Sequence, residues 1–403
     1  MIEVRRAASS DELKAGLVAI GQYSGWHPTD EDVEWWLQNS ELERMHVALA
    51  DGQIVGGAGA FSFDFTVPGA TMPCAGVTVV GVYPTHRRRG VLTEMMRVQL
   101  DDVRERGEPI AALWSSEGPI YGRFGYGMAS LQGEISLDRG RAGFALPYDP
   151  AGRIRLVEPD QATALLPAVW DTVRVATPGF FARPPAWWEH RIVHDPEDRR
   201  GGAGPKRFVV HECGGEVDGY AVYRHEGTWA EGVPTGKVLV REVVAATPEA
   251  TRELWRYLLD IDVVQTISAY LVPPDHPLFL LLAEPRRTRF RVGDGLWVRP
   301  VDVGAALSGR GYAEDGRVVF EVRDAFCPWN EGRWQLEGGK ASRTDDEPDL
   351  GLDVTALGSV FLGGFTFAEL RRACRVEELT PGAVAQADAM FRTDLAPWCP
   401  EIF

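Results

Sequence analysis

Apolar and polar residues change period along the first 130 residues, which predicts helices and strands in turn. SSDELKAGLVAI has apolar positions at helical spacing behind a capping box of Ser9 and Glu12. TDEDVEWWLQ opens a second helix at Thr29, again with an acidic residue three positions on. MHVALADGQIVGGAGAFSFDFTV predicts two strands joined by a tight turn at Asp51 and Gly52.

A second turn, at Pro68 and Gly69, leads into CAGVTVVGVYP, whose continuous apolar run is typical of a strand buried on both faces. The next helix is predicted from apolar residues that share one face: Leu92, Met95, Met96, Leu100 and Val103. Gly107 ends this helix, and we interpret the two methionines as core residues. PIAALWSS then predicts a buried strand, and GPIYGRFGYG a glycine-rich turn beside its end.

The middle of the chain repeats this pattern more loosely. RFVVHECGGEVDGYAVYRHE predicts a hairpin, and GKVLVREVVAATPEATRELWRYLLDID predicts a strand, a loop and a helix. The arginine-glycine turn of the first part is missing here, which indicates a duplicated domain that kept the fold and lost an anion site. From about residue 296, strands come first and short helices later, as in a small α+β domain. We therefore place domains at 1–150, 151–295 and 296–403.

Composition agrees with several globular domains. The chain has 403 residues and is 45% hydrophobic, which is more than one compact core holds. The formal net charge is −16, which argues against binding to nucleic acid or to an anionic membrane. Such a charge would attract a cationic small molecule, or it serves solubility alone.

Five scattered cysteines without a CxxC motif indicate a reducing compartment, and they argue against a disulfide framework and a zinc site. The N-terminal stretch MIEVRRAASSDELK lacks the apolar core of a signal peptide, and no run approaches eighteen apolar residues. We expect a soluble, cytoplasmic protein.

One short motif carries candidate chemistry. In VYPTHRRRGVL, three arginines, Arg87 to Arg89, and Gly90 lie between a buried strand and a helix start. The first N–H groups of a helix lack intrahelical partners and the helix dipole adds positive potential, so this turn is suited to an anion. Guanidinium groups can pair with further phosphate oxygens. The alternative is a solvated basic turn, but the strand before it and the amphipathic helix after it favour a pyrophosphate site.

This motif resembles the acyl-CoA-binding motif R/Q-x-x-G-x-G/A of the GNAT acetyltransferases, from which it departs by carrying Leu92 at the last position. That departure, the downstream SSEGPIYGRFGYG and the terminal APWC…F together resemble the Eis (enhanced intracellular survival) family. Members of this family are actinobacterial aminoglycoside N-acetyltransferases. The resemblance spans essentially the whole chain.

The resemblance implies an α/β (α+β) fold with two GNAT-like acyltransferase domains in tandem, followed by a sterol-carrier-protein-like α+β domain. Residues 1–150 would form the catalytic GNAT domain that binds acetyl-CoA, and 151–295 a degenerate GNAT-like domain. Residues 296–403, with Leu296 to Leu307 and GSVFLGG as their signature, would deliver the C-terminal carboxylate. It also implies a homohexamer.

The resemblance also assigns site residues. Those implied to contact acetyl-CoA are Val80, Gly81, Val82, Arg88, Arg89, Gly90, Val91, Leu92, Thr93, Ser116 and Glu117. Tyr121 would be the general acid and the terminal carboxylate of Phe403 the general base. Residue types alone do not prefer Tyr121 to Tyr126, since most tyrosines in such turns only pack. Direct attack of the amine needs no acetyl-enzyme, so neither a nucleophilic cysteine nor a metal is expected.

Three functions fit these patterns. The first is acetyl transfer from acetyl-CoA to amines of aminoglycosides or similar polycationic small molecules. The second keeps the chemistry but acts on protein or peptide lysines. The third belongs to another class, a carrier whose C-terminal domain binds an apolar ligand.

Several other residues have two interpretations each. The acidic first turn of TDEDVEWWLQ with Trp35 and Trp36 could bind a sugar amine through ion pairs and cation–π contacts, or the tryptophans could belong to the core. Glu401 could face an amine cleft or the solvent. His190 and His194, four residues apart, could be a metal pair, but surface histidines are favoured because no third ligand is evident.

Overall fold

The computed structural model describes residues 2–403. The chain forms two compact units. Unit 1 comprises the residues up to Ser130, Gly295–Pro397 and Ile402–Phe403, and unit 2 comprises Leu131–Asp294 and Trp398–Glu401.

Strands and helices alternate along most of the described chain. The strands are β1 (Ile2–Arg6), β2 (Met45–Ala50), β3 (Gln53–Val67), β4 (Ala70–Val82), β5 (Ile110–Trp114), β6 (Gly127–Met128), β7 (Leu131–Asp138), β8 (Arg153–Val157), β9 (Arg207–Cys213), β10 (Glu216–Glu226), β11 (Trp229–Ala230), β12 (Val233–Pro234), β13 (Lys237–Ala245), β14 (Thr266–Val272), β15 (Arg291–Asp294), β16 (Leu296–Pro300), β17 (Arg317–Arg323), β18 (Gly332–Glu337), β19 (Lys340–Arg343), β20 (Leu350–Asp353) and β21 (Val376–Glu378). The helices are α1 (Ser10–Ser24), α2 (Asp30–Asn39), α3 (Val91–Glu105), α4 (Gly118–Tyr121), α5 (Pro159–Arg174), α6 (Pro185–Trp187), α7 (Pro248–Asp260), α8 (Leu278–Leu281), α9 (Val303–Gly309), α10 (Val354–Phe361), α11 (Phe367–Arg372) and α12 (Ala383–Phe391). Among residues 2–403 no helix combines the length and apolar character needed to cross a bilayer.

The local signals in the first part of the chain are confirmed. The Ser9 hydroxyl accepts a hydrogen bond from the Glu12 N–H at the start of α1, and Thr29 forms a full capping box at the start of α2. The predicted turns at Asp51-Gly52 and Pro68-Gly69 separate β2, β3 and β4. These signals succeed because each depends on residues only a few positions apart.

The large sheet of unit 1 has the strand order β1-β2-β3-β4-β5-β16-β6. Its neighbours are antiparallel except β4 and β5, which run parallel. Helix α3 connects this parallel pair, and its residues Met95, Met96, Leu100 and Val103 are buried in the core beside the sheet, as predicted. A parallel pair with a helical crossover brings the start of that helix to the carboxyl end of the preceding strand.

Unit 2 repeats this arrangement. Its large sheet has the order β8-β9-β10-β13-β14-β7-β15. One neighbouring pair is parallel, β13 and β14, and it occupies the fourth and fifth positions, as β4 and β5 do in unit 1; the other neighbours are antiparallel. Helix α7 connects the parallel strands as α3 does in unit 1. The two sheets therefore have the same topology, as expected of a duplicated domain.

Two strands belong to sheets that their positions in the sequence do not indicate. Leu131–Asp138, which the sequence boundaries place in the first domain, pairs with β14 and β15 in the sheet of unit 2. Leu296–Pro300, placed in the third domain, pairs with β5 and β6 in the sheet of unit 1. Apolar periodicity identifies such segments as strands, but it contains no information about which distant strand each one pairs with.

The exchange of strands predicts how fragments behave. A fragment of residues 1–150 is expected not to fold cooperatively, because without β16 the edges of β5 and β6 stay open and their core is incomplete. The matched control ends at Pro397 and replaces residues 131–294 with a short Gly-Ser linker. This linker can be short because the Gly295 N–H donates to the Ser130 carbonyl (2.9 Å). Thermal unfolding followed by circular dichroism should show a sharp transition for the control alone; a sharp transition for 1–150 would contradict the prediction.

The part of unit 1 after β16 forms a smaller sheet with the order β19-β18-β17-β20-β21. Helices α9 to α12 contribute to one core with this sheet, in which the rings of Phe320, Phe367 and Phe391 are in mutual contact. This is the small α+β domain that the sequence predicted.

Candidate active site

The central strands of unit 1 diverge at their carboxyl ends. β4 and β5 are paired only from Cys74 to Gly76, whereas β4 continues to Val82. A bulge interrupts its pairing with β3 in this region, and Val79 there has a left-handed φ of 49°. The bulge turns β4 away from β5 and leaves a V-shaped opening with free strand edges. Main-chain N–H and C=O groups along such an edge are available to a ligand.

The arginine-rich turn lies directly after this opening. Arg88 has a φ of 59°, and Gly90, the N-cap of α3, has a φ of 82°. No side chain caps α3, so its first N–H groups remain available for an anion. Glycine suits position 90 because its backbone conformation is one that residues with a side chain rarely adopt.

A cavity of ≈ 630 Å³ joins the opening to this turn. It is lined by Ile20, Tyr23, Ser24, Val80, Gly81, Val82, His86, Arg87, Arg88, Gly90, Val91, Leu92, Thr93, Ser116, Glu117, Ile120, Tyr121 and Arg123. The structure thus brings together every residue assigned to acetyl-CoA contact except Arg89, which is exposed at the turn and outside this lining. The cavity contains both an apolar end and the basic turn, a combination suited to a long ligand with phosphate groups.

Tyr23 is a cavity residue that the sequence did not single out, and Arg87, the first residue of the arginine run, lines the cavity although it was not among the assigned acetyl-CoA contacts. The Arg87 guanidinium lies 4.0 Å from the centre of the Tyr23 ring, and its Nε donates to the Tyr23 hydroxyl (2.7 Å). That hydroxyl donates in turn to the Val82 carbonyl. Arg87 is therefore held in place at the cavity, and only folding reveals this, because Tyr23 lies 64 residues earlier with no motif around it.

The structure separates the two candidate tyrosines. Tyr121 lines the cavity, whereas Tyr126 is fully buried in the core beside it, and its hydroxyl has no hydrogen-bond partner among residues 2–403. The rings meet edge to face with centroids 6.0 Å apart. Burial, with a smaller contribution from the Glu117 charge, raises the pKa of Tyr121 to about 12, so its phenol stays protonated at neutral pH.

The last residue is docked within unit 1. The main-chain oxygen of Phe403 accepts a hydrogen bond from the Thr78 hydroxyl (3.0 Å), and Thr78 precedes Val80 on β4. The Phe403 ring meets that of Phe63 edge to face at 5.0 Å. Phe403 is not among the residues that line the cavity, but its main-chain end is tied to the strand that forms the cavity's edge.

The structure decides between the two interpretations of Glu401 and of Trp36: both side chains are buried. Glu401 is buried, not exposed at a cleft or at the surface, and it pairs with Arg183 and Arg191. Trp36 is buried against Phe61 with ring centroids 4.9 Å apart, so it is a core residue. The sequence could not show either fact, because the contacting residues are at least 25 positions apart.

The histidine pair shows no metal geometry. His190 Nδ1 lies 2.9 Å from the Ala186 carbonyl on the preceding turn, and His194 ends this helical segment with an extended ψ. No group of three or more histidine, cysteine, aspartate or glutamate side chains in the described part of the chain has metal-binding geometry.

Comparisons with known families agree with this architecture. Residues 4–129 match a family described as "Acetyltransferase (GNAT) domain", and residues 179–300 match a second family with the same description. Residues 303–400 match the "Sterol carrier protein domain". The fold therefore consists of two tandem GNAT domains followed by a sterol-carrier-like domain, as predicted.

Individual relatives are similar over most of the chain. An "Uncharacterized N-acetyltransferase" of Streptomyces avermitilis is 44% identical over 391 residues, which is 95% of each chain. N-acetyltransferase Eis of Mycobacterium tuberculosis is 34% identical over 368 residues, 87% of each chain. The crystal structure of Eis1 from Mycobacterium abscessus superposes with a TM-score of 0.87 at 36% identity and covers 100% of both chains. The two GNAT sheets, the diverging strands and the similarity to these relatives over most of the chain lead to one conclusion. The chain belongs to the Eis-like N-acetyltransferases and is an enzyme of acetyl transfer.

Proposed function

We propose that this enzyme transfers the acetyl group of acetyl-CoA to amines of aminoglycosides or similar polycationic small molecules, by direct attack in a ternary complex. The observation that carries the proposal is the cavity of ≈ 630 Å³ that runs from the diverging strands to the open N-terminus of α3. The pyrophosphate of CoA would bind at Gly90 to Thr93 and to Arg88. The pantetheine arm would add to the free edge of β4 at Val80 to Val82.

The chemistry then requires one proton acceptor and one proton donor. The amine nitrogen attacks the thioester carbonyl, a C–N bond forms, the C–S bond breaks, and the acetyl group leaves the sulfur. The amine loses its proton to a general base, for which we propose the carboxylate of Phe403. The sulfur receives a proton from a general acid, for which we propose Tyr121. The position of Tyr121 in the cavity lining supports this role, and its phenol is protonated at neutral pH, as a proton donor must be.

The net charge of the chain and the resemblance to the Eis family support the proposed class of amine substrates. The chain has a formal net charge of −16, and opposite charge raises the local concentration of a cation and its rate of encounter. Family membership supports the same class, since relatives over most of this chain are Eis enzymes. A protein lysine as substrate uses identical chemistry, and the product distinguishes the two. The turn from Arg88 to Gly90 argues against the carrier function, because a carrier of apolar ligands would not need an anion-binding turn.

The proposal is tested by thiol release from acetyl-CoA with a panel of aminoglycosides, followed by product masses. We expect products heavier by one or several acetyl groups, and a kcat/KM that falls as ionic strength rises, because salt screens attraction between charges. A primary amine whose pKa is low enough to leave it uncharged at the assay pH, and that is also acetylated, serves as the control for salt effects on the enzyme itself. If no aminoglycoside is acetylated while a lysine peptide is, the reaction stands and the proposed substrate class is wrong.

A further inference from the structure

The second GNAT sheet has the same diverging strands as the first. β13 and β14 are paired only from Lys237 to Val240, although β13 continues to Ala245. Directly after the last pair, the register of β13 against β10 shifts and leaves Arg241 as an extra, bulged residue. In unit 1 a bulge follows the last β4–β5 pair in the same way. Unit 2 therefore has its own V-shaped opening.

This second opening is already filled. Trp398 and Pro400 line it together with residues 240–243 of β13 and residues 269–272 of β14. The cavity that these residues share with Trp398 and Pro400 is only ≈ 20 Å³, whereas the cavity of unit 1 is ≈ 630 Å³. A separate hollow of ≈ 320 Å³ lies along β7, β13 and β14, and neither Trp398 nor Pro400 lines it. The C-terminal segment of the chain thus occupies the place that corresponds to the proposed pantetheine site.

Hydrogen bonds to main-chain carbonyls and a ring contact hold this segment in the opening. The Trp398 N–H donates to the Pro178 carbonyl (2.8 Å), and its indole N–H donates to the Leu271 carbonyl of β14. Its ring meets Phe180 edge to face at 5.2 Å. Gly179 has a φ of 103°, and a Cβ at this position would lie 2.6 Å from the Trp398 carbonyl oxygen. Glycine at 179 is therefore required for the close approach of the segment.

A buried charge cluster fixes Glu401 at the end of the segment. Its carboxylate accepts from the Trp187 indole N–H (3.0 and 2.9 Å) and from Arg191 Nε (3.2 Å), and it pairs with Arg183 at 2.8 Å. Arg183 also pairs with Glu242, beside the bulge of β13. Burial alone would raise the pKa of Glu401, but the charges of Arg183 and Arg191 outweigh it and hold that pKa below its usual range. The cluster is matched in charge, as a buried ionic group requires.

We infer that the cleft of the second GNAT domain is a docking slot for residues 398–401 of the same chain, and that Trp398 and Glu401 are positioning residues for the terminal carboxylate of Phe403. This inference rests on the proposed role of Phe403 as general base. Chain ends normally fray, and a base that moves freely contributes little to catalysis. Two residues span at most roughly 7 Å, so fixing Glu401 confines the carboxylate that follows it.

The test uses two variants: one changes the docked segment at Glu401, and the other changes the surface that the segment contacts, at Gly179. Glu401→Gln keeps the side-chain shape and removes the charge that Arg183 and Arg191 need. Gly179→Ala adds a Cβ against the Trp398 carbonyl. Leu395→Ala is the matched control, because this leucine lies in the same tail and is 49% exposed. Each full-length protein is treated with carboxypeptidase, and the release of Phe403 is timed; acetyl-CoA affinity, kcat and the amine KM are measured on untreated protein.

We expect Phe403 release to be about tenfold faster or more in both variants than in wild type and in Leu395→Ala. We also expect kcat to fall about tenfold, with acetyl-CoA affinity and the amine KM within twofold, a split that general loss of structure would not produce. Release rates at the wild-type level in both variants would overturn the docking slot. Faster release with unchanged kcat would overturn Trp398 and Glu401 as positioning residues, whereas the role of Phe403 as base is tested separately by converting its carboxylate into a carboxamide. The two proposals therefore fail separately.

Discussion

Conversion of the Phe403 carboxylate into a carboxamide is expected to lower kcat by about 10²–10⁴-fold, the usual contribution of a general base. The amide keeps the ring on Phe63 and can still accept from the Thr78 hydroxyl, but it cannot take a proton from the amine. The amidated chain can be made by ligating a synthetic C-terminal peptide to the expressed protein, and single-turnover rates with saturating acetyl-CoA report the chemical step.

Two controls separate the carboxylate from its surroundings. The same ligation with an unmodified peptide should restore full activity. Phe403→Ala keeps a carboxylate at the same position but removes the ring that packs on Phe63, so we expect a loss smaller than that of the amide. Equal rates for the amidated and the unmodified ligated chains would discard the terminal base and leave acetyl transfer intact.

Tyr121→Phe is expected to have an effect of similar size, a loss of about 10²–10⁴-fold in kcat with little change in acetyl-CoA affinity. The substitution removes only the hydroxyl that would donate to the departing sulfur, and the ring continues to pack against Tyr126. Because the pKa of Tyr121 is raised to about 12, wild-type activity should rise with pH as the amine loses its proton and should show no descending limb up to pH 10. A fall in rate between pH 8 and 10 in wild type would count against Tyr121 as the donor.

Tyr126→Phe is the matched control for Tyr121. Its hydroxyl is buried and has no hydrogen-bond partner in the described part of the chain, so removing it relieves an unsatisfied group and should leave stability unchanged or slightly raised. We expect kcat within about threefold of wild type, measured in the same assay. If Tyr126→Phe lost activity and Tyr121→Phe did not, the assignment would be reversed.

What the sequence by itself determined depends on residues close together in the chain. Caps such as Ser9 with Glu12, tight turns such as Asp51-Gly52, and the turn from Arg87 to Gly90 each depend on a few neighbouring residues. Apolar periodicity also predicted the duplication, since both halves repeat strand, loop and helix. Assignment of roles to Tyr121 and Phe403 needed the family resemblance, because residue types alone do not distinguish a catalytic tyrosine or terminus from an ordinary one.

Only the tertiary structure decided the pairings between distant segments. Leu296–Pro300 completes the sheet of unit 1, and Leu131–Asp138 that of unit 2, because strand pairing is chosen by the whole core and not by local pattern. The same holds for two side-chain contacts. Tyr23 and Arg87 are 64 positions apart in the sequence, and Glu401 and Arg183 are 218 positions apart. Local pattern specifies which elements form, whereas contacts between remote elements specify which of their residues meet at a site.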